Sequence, residues 1–391
     1  MNIAFFCIPA HGHTNPTLAV VRELTTRGHT VRYYTTEAFR AKVETAGAVF
    51  VPFDAEAARP GMTAADGARL GSDLTFSTKL IVDLTLAADD WLSRELTVHR
   101  PDVIVGDSMA FWAKLAAKKH GIPFVSSTTT FAFNRFSAKV IGQNGAGFLQ
   151  FLLAQPRINR QLKRLRAAGY AVKSVFDIIA NDNETETVVY TSPDFQPCAD
   201  TFSEKYHFVG PLLRPAQSSF EKLPGRSLIY ISLGTVNNDA LPFYRACLAA
   251  FGGDPRFQLV LSAGTQADLA AFGPIPESCT VRASVDQMAV LDCADVFLTH
   301  CGMNSASEGL WHGLPLVLYP QTPEQHGVAN RVAALGAGVP LTDPSADGIR
   351  RAVETALTDP SYRENAQKLA GSFRRCGGAA EAADAIEHAA N

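Results

Sequence analysis

The chain opens with a continuous apolar run, "NIAFFCIP", whose length suits a buried strand. "NPTLAVVRELTTRGH" follows with apolar positions at helical spacing and a Gly28 stop, and "TVRYYTT" reads as a second strand. This is a β-α-β unit. It recurs in "PDVIVGDS", "AFWAKLAAKKHG" and "IPFVSS", where Gly121 and Pro123 punctuate the step from helix to strand. Strands that are apolar throughout, rather than alternating, belong to a parallel sheet covered by helices on both faces. Near residue 210 the pattern lapses. "VGPLLRPAQSSFEKLPGRS" carries Pro211, Pro215, Pro224 and a Ser pair with few periodic apolar positions, the composition of a linker. The alternation then restarts with strands "SLIYISLG", "FQLVLSAG", "CTVRAS", "DVFLTHCG" and "PLVLYP", separated by helical segments. From Ser361 the chain is Ala-rich with scattered charge, reading as amphipathic helices interrupted at Gly377 and Gly378. The expected architecture is α/β, with two doubly wound, Rossmann-like domains. Their expected bounds are 1–210 and 227–372, with a linker at 211–226 and a helical tail at 373–391 able to pack back on the first domain.

Length agrees, since 391 residues suit two cores of roughly 150–200 residues each. Charge is nearly balanced, 35 basic against 38 acidic side chains, which excludes a broad nucleic-acid surface. The start "MNIAFFCIPAHGH" lacks the basic flank of a secretory signal, and no window approaches 18 uninterrupted apolar residues, so no membrane insertion is expected. The seven cysteines are scattered and never form a CxxC pair, which suits a reducing compartment and gives no zinc knuckle. A soluble cytoplasmic protein is expected.

The densest polar chemistry lies in "HCGMNSASEGLWHGLPLVLYPQTPEQHGVAN", His300 to Asn330. "DVFLT" is a buried strand, so His300 stands at its carboxyl edge, where open α/β sheets bind ligands. Gly302 allows close backbone approach, and Asn304 and Ser305 fall where a helix begins. Free N–H groups and the positive end of the helix dipole suit that place to an anion such as a phosphate. Ser305 and Glu308, three apart, share a helix face, and a carboxylate there can accept from a ribose diol. Beyond the strand "PLVLYP" come Gln321, Glu324 and Gln325, amide and carboxylate groups of the kind a polyhydroxylated sugar engages. Phosphate, ribose and sugar together describe a nucleotide-sugar. His312 and His326 read as structural or solvent-facing, since no ligand-spaced set surrounds them.

These residues resemble the signature box of the family 1 glycosyltransferases, which include plant secondary-product glucosyltransferases and bacterial macrolide glycosyltransferases. "AHGHTNPTLAVVRELTTRGHTV" is similar to the bacterial members' first strand, loop and helix, and "ISLGT" to their first C-domain strand. The resemblance implies the GT-B fold, two Rossmann-like domains facing across a cleft. It also implies an inverting transfer without a metal, and no cofactor beyond a UDP-sugar co-substrate. By position, it implies that His300, Asn304 and Ser305 contact the diphosphate, with Ser232, Gly234 and Thr235 nearby. Glu308 is implied at the ribose, and Glu324 with Gln325 at the sugar. Where many relatives stack a Trp on the nucleobase this chain has Ser284, and Asp286 replaces a proline. The backbone of Val285 and the side chain of Gln287 are then left to read a pyrimidine edge. Met303 stands where plant members have Trp.

Displacing a nucleoside diphosphate requires a base for the attacking hydroxyl, and histidine titrates near neutrality. The segment "PAHGHTNP" reads as a loop offering His11 and His13. The resemblance implies His13 as the base and Asp107, at the end of "DVIVGD", as its orienting carboxylate. Aromatic residues Phe131, Phe133, Phe136, Phe148 and Phe151, with Phe111 and Trp112 after Asp107, suggest an apolar, aromatic small-molecule acceptor. Phe111, Trp112, Phe131 and Phe133 are the candidate acceptor contacts. UDP-glucose is the expected donor, and a monomer or weak homodimer the expected state. The alternatives are a nucleotide-sugar 2-epimerase or a non-catalytic nucleotide-sugar-binding protein of the same fold.

Overall fold

The computed structural model describes residues 1–53, 73–134, 136–137, 147–179, 181, 183–234 and 240–391, with side chains of the helix Gly147–Ala167 described from Ala154 on. Two compact units result: one of Met1–Tyr190, Cys198–Leu212 and Gly377–Asn391, the other of Thr191–Pro197 and Leu213–Cys376. Apart from Thr191–Pro197, the second unit thus begins at Leu213 and takes in most of the proline-rich stretch.

The first unit is built on β1 (Asn2–Phe6), β2 (Thr30–Thr35), β3 (Val49–Pro52), β4 (Val103–Asp107), β5 (Phe124–Thr128), β6 (Thr187–Val189) and β7 (Tyr206–Phe208). All pair in parallel, in the order β3-β2-β1-β4-β5-β6-β7. Both faces of the central strands are covered, so β1 and β4 are largely buried apolar runs. Register sets the ring packing: Phe5 lies beside Tyr33 and Phe6 beside Tyr34, with centroids 5.0 and 4.2 Å apart. Gly106 is required inside β4, because a Cβ there would come within 2.7 Å of the Phe124 ring. The helix Gly378–Ala389 packs on the helix His11–Thr26, held by Arg27 to Asp384 at 2.6 Å and His29 to Glu387 at 2.7 Å.

The second unit repeats the plan with β8 (Ser227–Ser232), β9 (Phe257–Ser262), β10 (Cys279–Arg282), β11 (Val296–Thr299), β12 (Leu316–Leu318) and β13 (Gly338–Pro340), in the parallel order β10-β9-β8-β11-β12-β13. Chain order reverses between β1 and β4 in one sheet and between β8 and β11 in the other. Helices leave opposite faces on either side of such a point and open a crevice at the strands' carboxyl ends.

One expectation is corrected. "PAHGHTNP" is not a loop: the first helix begins at His11 and carries Pro16 inside it. Proline removes one N–H but holds φ in the helical range, and the turn before it is closed by His13 and Thr14 N–H groups donating to Ala10 O at 3.0 and 2.9 Å. No described helix is long and apolar enough to cross a membrane.

Candidate active site

At the β1/β4 switch point, His13 occupies the first turn of the helix that follows β1, and Asp107 ends β4. The ring nitrogen Nδ1 lies 2.7 Å from Asp107 Oδ2. A carboxylate can only accept, so Nδ1 donates and Nε2 carries the lone pair. Asp107 is 1% exposed, and its other oxygen accepts from Met109 N–H at 2.9 Å, which fixes its orientation. Thr129 Oγ1 lies 3.0 Å from the same Nδ1. The His13 side chain is 18% exposed, enough for a substrate to reach it. His11 is placed differently: it packs edge-on against Phe39 and meets Lys42 Nζ at 3.4 Å, and burial, then Lys42, lowers its pKa. Among the described residues, an imidazole hydrogen-bonded to a carboxylate is therefore found at His13 and not at His11.

The β8/β11 switch point holds the second constellation. Ser232 ends β8 and is paired in register with Thr299, so His300 follows directly beside it. Cys301 takes a left-handed conformation, φ 63°, which turns the chain into the helix Met303–Trp311, and its N–H donates to Thr299 Oγ1 at 3.2 Å. The imidazole of His300 is packed between two glycines. A Cβ on Gly302 would lie 2.6 Å from its Nε2, and one on Gly234, where φ is +81°, would lie 2.7 Å from its Nε2 and Cε1. Burial pushes the His300 pKa down to about 4, so at neutral pH the ring is uncharged and offers one N–H donor. Gly302 is the N-cap and contributes no side chain, which puts Asn304 and Ser305 in the first turn rather than at the cap. Glu308, one turn on, accepts from Gln287 Nε2, and Gln287 Oε1 in turn accepts from the Tyr230 hydroxyl at 3.0 Å. Burial raises the Glu308 pKa, with Gln287 opposing the shift.

A family model described as UDP-glucoronosyl and UDP-glucosyl transferase matches residues 281–374, the segment that carries Gln287, His300, Gly302 and Glu308 of this second constellation. Over its length the chain is 33% identical to the NDP-glycosyltransferase YjiC of Bacillus licheniformis, covering 99% of this chain and 97% of that one. It is 34% identical to the demethyllactenocin mycarosyltransferase of Streptomyces fradiae, covering 99% of this chain and 86% of that one. The chain belongs to the family 1 glycosyltransferases. Its fold is similar to that of the glycosyltransferase of kitacinnamycin, with a TM-score of 0.86 and 30% identity over 99% of this chain and 98% of the other. The two parallel sheets are those of a GT-B glycosyltransferase.

Other candidate residues of the transferase are placed less simply. Gln287 does not present a free amide to a base, since both its ends are engaged by Tyr230 and Glu308; the side chain links a buried phenol to the carboxylate. Gln325 sits in the capping box of the helix Pro323–Ala334, its Oε1 accepting from Gln321 and Thr322 N–H at 2.8 and 3.2 Å. Only its NH₂ end remains for a ligand. Glu324 and Gln321 are exposed, and Val285 is half-buried. Thr235 lies outside the described residues, as do the side chains of Phe148 and Phe151. Of the acceptor candidates, Trp112 is 6% exposed in the core under β1 and β4, and Phe131 is 3% exposed. Phe111 is half-buried against the helices Leu74–His99 and Gly147–Ala167. The inward face of the helix Phe111–His120 fills that core, and Trp112 lies on that face. Phe133, 48% exposed, keeps an open aromatic face. Among the described residues no group of three His, Cys, Asp or Glu is gathered as for a metal ion. Sequence reasoning passes over Thr129 and Tyr230. The hydroxyl run Ser126 to Thr130 at the end of a strand beside β4 is the signal for the first. Tyr230 carries none, being one more aromatic in an apolar strand.

Proposed function

We propose that this glycosyltransferase moves a hexose from UDP-glucose to a hydroxyl of an apolar, aromatic small molecule, with inversion and without a metal. The observation that carries the proposal is the 2.7 Å contact between His13 Nδ1 and Asp107. It leaves Nε2 as acceptor for the substrate's O–H. As the new C–O bond forms at the anomeric carbon, opposite the departing diphosphate, that proton passes to Nε2 and the Asp107 carboxylate stabilises the imidazolium. Charge released on the diphosphate is met by the N–H groups of the helix start at Met303 and by the neutral imidazole of His300. Glu308 accepts from the ribose diol. Glu324 and the NH₂ of Gln325 bracket the sugar hydroxyls. In this reading the first unit holds the acceptor and the second the donor. The exposed Phe133 supports an aromatic acceptor, and the natural products in the names of the relatives support a secondary metabolite.

The test is to incubate the protein with uridine and thymidine diphosphate sugars and a panel of phenols and macrolides, with mass detection of adducts. Wild type should transfer hexose from UDP-glucose. His13→Ala should lose roughly 10²–10⁴-fold in turnover with nucleotide binding intact. Asp107→Asn should be impaired, and the double variant little worse than His13→Ala, because the two groups act as a unit. Unchanged turnover in His13→Ala refutes the base assignment.

A further inference from the structure

Asp286 is the N-cap of the short helix Gln287–Leu291, a position where aspartate ordinarily accepts from the helix's own N–H groups. Here it does not cap. Its Oδ2 accepts instead from the backbone N–H of Gln217 and Ser218, at 2.5 and 2.9 Å, and from the Ser218 hydroxyl at 3.2 Å. Burial pushes its pKa up, but those N–H groups and the Arg214 charge outweigh it and hold the carboxyl below its usual range. The other oxygen, Oδ1, is buried without a hydrogen-bond partner and faces Arg214 Nη2 at 3.8 Å.

This carboxylate therefore fastens the segment after Leu213 beside the residue, Gln287, that holds Glu308. Arg214 stands there with its side chain 45% exposed, and its charge reaches Glu308, where after Gln287 it is the next influence against burial. One carboxylate, Asp286, faces the guanidinium directly. That pairing holds the guanidinium near the Gln287–Glu308 contact, the nucleoside end in the donor reading above, while the helix start at Met303 offers N–H groups for phosphate. The exposed part of the side chain remains for a ligand. Nearby, Ser284 is exposed and too small to cover a base, and Val285 is half-buried.

We infer that Arg214 is a nucleotide-binding residue whose guanidinium plane lies against the face of the pyrimidine base, with Asp286 as the positioning residue that holds it there. The inference rests on the donor reading of Glu308 given above. A guanidinium is flat, weakly hydrated and stacks on π-systems, which an ammonium does not do.

The experiment is calorimetric titration of UDP and UMP into wild type, Arg214→Ala, Arg214→Lys and Asp286→Asn, with thermal unfolding of each. Arg214→Ala should weaken both nucleotides by the same factor, about 3- to 30-fold. Arg214→Lys should recover less than half of that loss on a logarithmic scale. Asp286→Asn should weaken UMP and UDP in equal proportion. Unchanged affinity in Arg214→Ala overturns the inference, as does a loss for UDP that is absent for UMP, which would put the side chain at the β-phosphate. Full recovery by lysine overturns the stacking role, and no loss in Asp286→Asn overturns the positioning role. Wild type binding neither nucleotide overturns the donor reading itself, an outcome separate from any difference among variants.

Discussion

Replacing Gly302 with alanine tests the fit of His300 with a single methyl group. Gly302 has φ −60° and ψ 142°, a backbone that any residue adopts, so alanine adds a Cβ without adding strain. That Cβ would lie 2.6 Å from Nε2 and 3.2 Å from Cε1 of His300. Retreat is limited, because Gly234 bounds the ring as well, its own Cβ position lying 2.7 Å from the same two atoms. Restoring ordinary contact requires the imidazole to move by roughly 0.8 Å. Misplacing a positioned group by about 1 Å lowers rates by roughly 10²-fold, so kcat/KM for UDP-glucose should fall by about that factor with little change in Tm. The assay is steady-state transfer to a phenol that wild type accepts, run in a cycle with His300→Ala. Once the ring is gone the methyl group has nothing to displace, so Gly302→Ala should be nearly silent in that background. Activity within twofold of wild type, or a full further loss on top of His300→Ala, refutes the reasoning.

Activity should survive excess EDTA if, as proposed, helix N–H groups and His300 supply the donors for the diphosphate; loss on chelation with recovery in magnesium would overturn that account. Glu308→Gln should lower UDP affinity by about tenfold, one charge-assisted hydrogen bond's worth. It should also raise Tm at pH 7. Burial raises the Glu308 pKa, so above the ordinary carboxylate range the folded state binds more protons than the unfolded one and stability falls as pH rises. The Tm gap should close below about pH 4, where both states are protonated. A gap that is constant with pH would refute the burial argument. At Gln325, glutamate keeps the oxygen that completes the capping box and removes the NH₂ end, whereas alanine removes both. Only Gln325→Ala should lose about 1 kcal/mol of stability. Both should lose roughly 5- to 150-fold of the preference for UDP-glucose over a thymidine diphosphate deoxyhexose. A glutamate variant with its preference intact would remove Gln325 from the sugar site.

Strands buried on both faces have no polar phase, so "NIAFFCIP" and "SLIYISLG" stand out as apolar runs, and the ends of β1 and β8 lie close to those runs. Helix starts are harder to read. Gly12, Asn15 and Pro16 each favour a loop by themselves, yet the helix begins at His11, and that turn brings His13 Nδ1 to Asp107. Amide side chains are harder still, since each has a donor end and an acceptor end and the sequence does not say which is already engaged. Gln287 and Gln325 are candidate ligand contacts by sequence, but one is bound at both ends by Tyr230 and Glu308 and the other gives its oxygen to a helix cap. Asp286 shows the converse. It stands directly before a helix, yet the structure turns its carboxylate onto Gln217 and Ser218 rather than onto that helix's own N–H groups. Topology explains why the broad location of both constellations is nevertheless legible. Parallel order places the residue after β1 beside the end of β4, and the residue after β11 beside the end of β8, whatever their identities. The fold therefore determines where chemistry can occur, twice, and the side chains at those two points determine which chemistry: a histidine paired with a carboxylate at one, and an uncharged histidine between two glycines at the other.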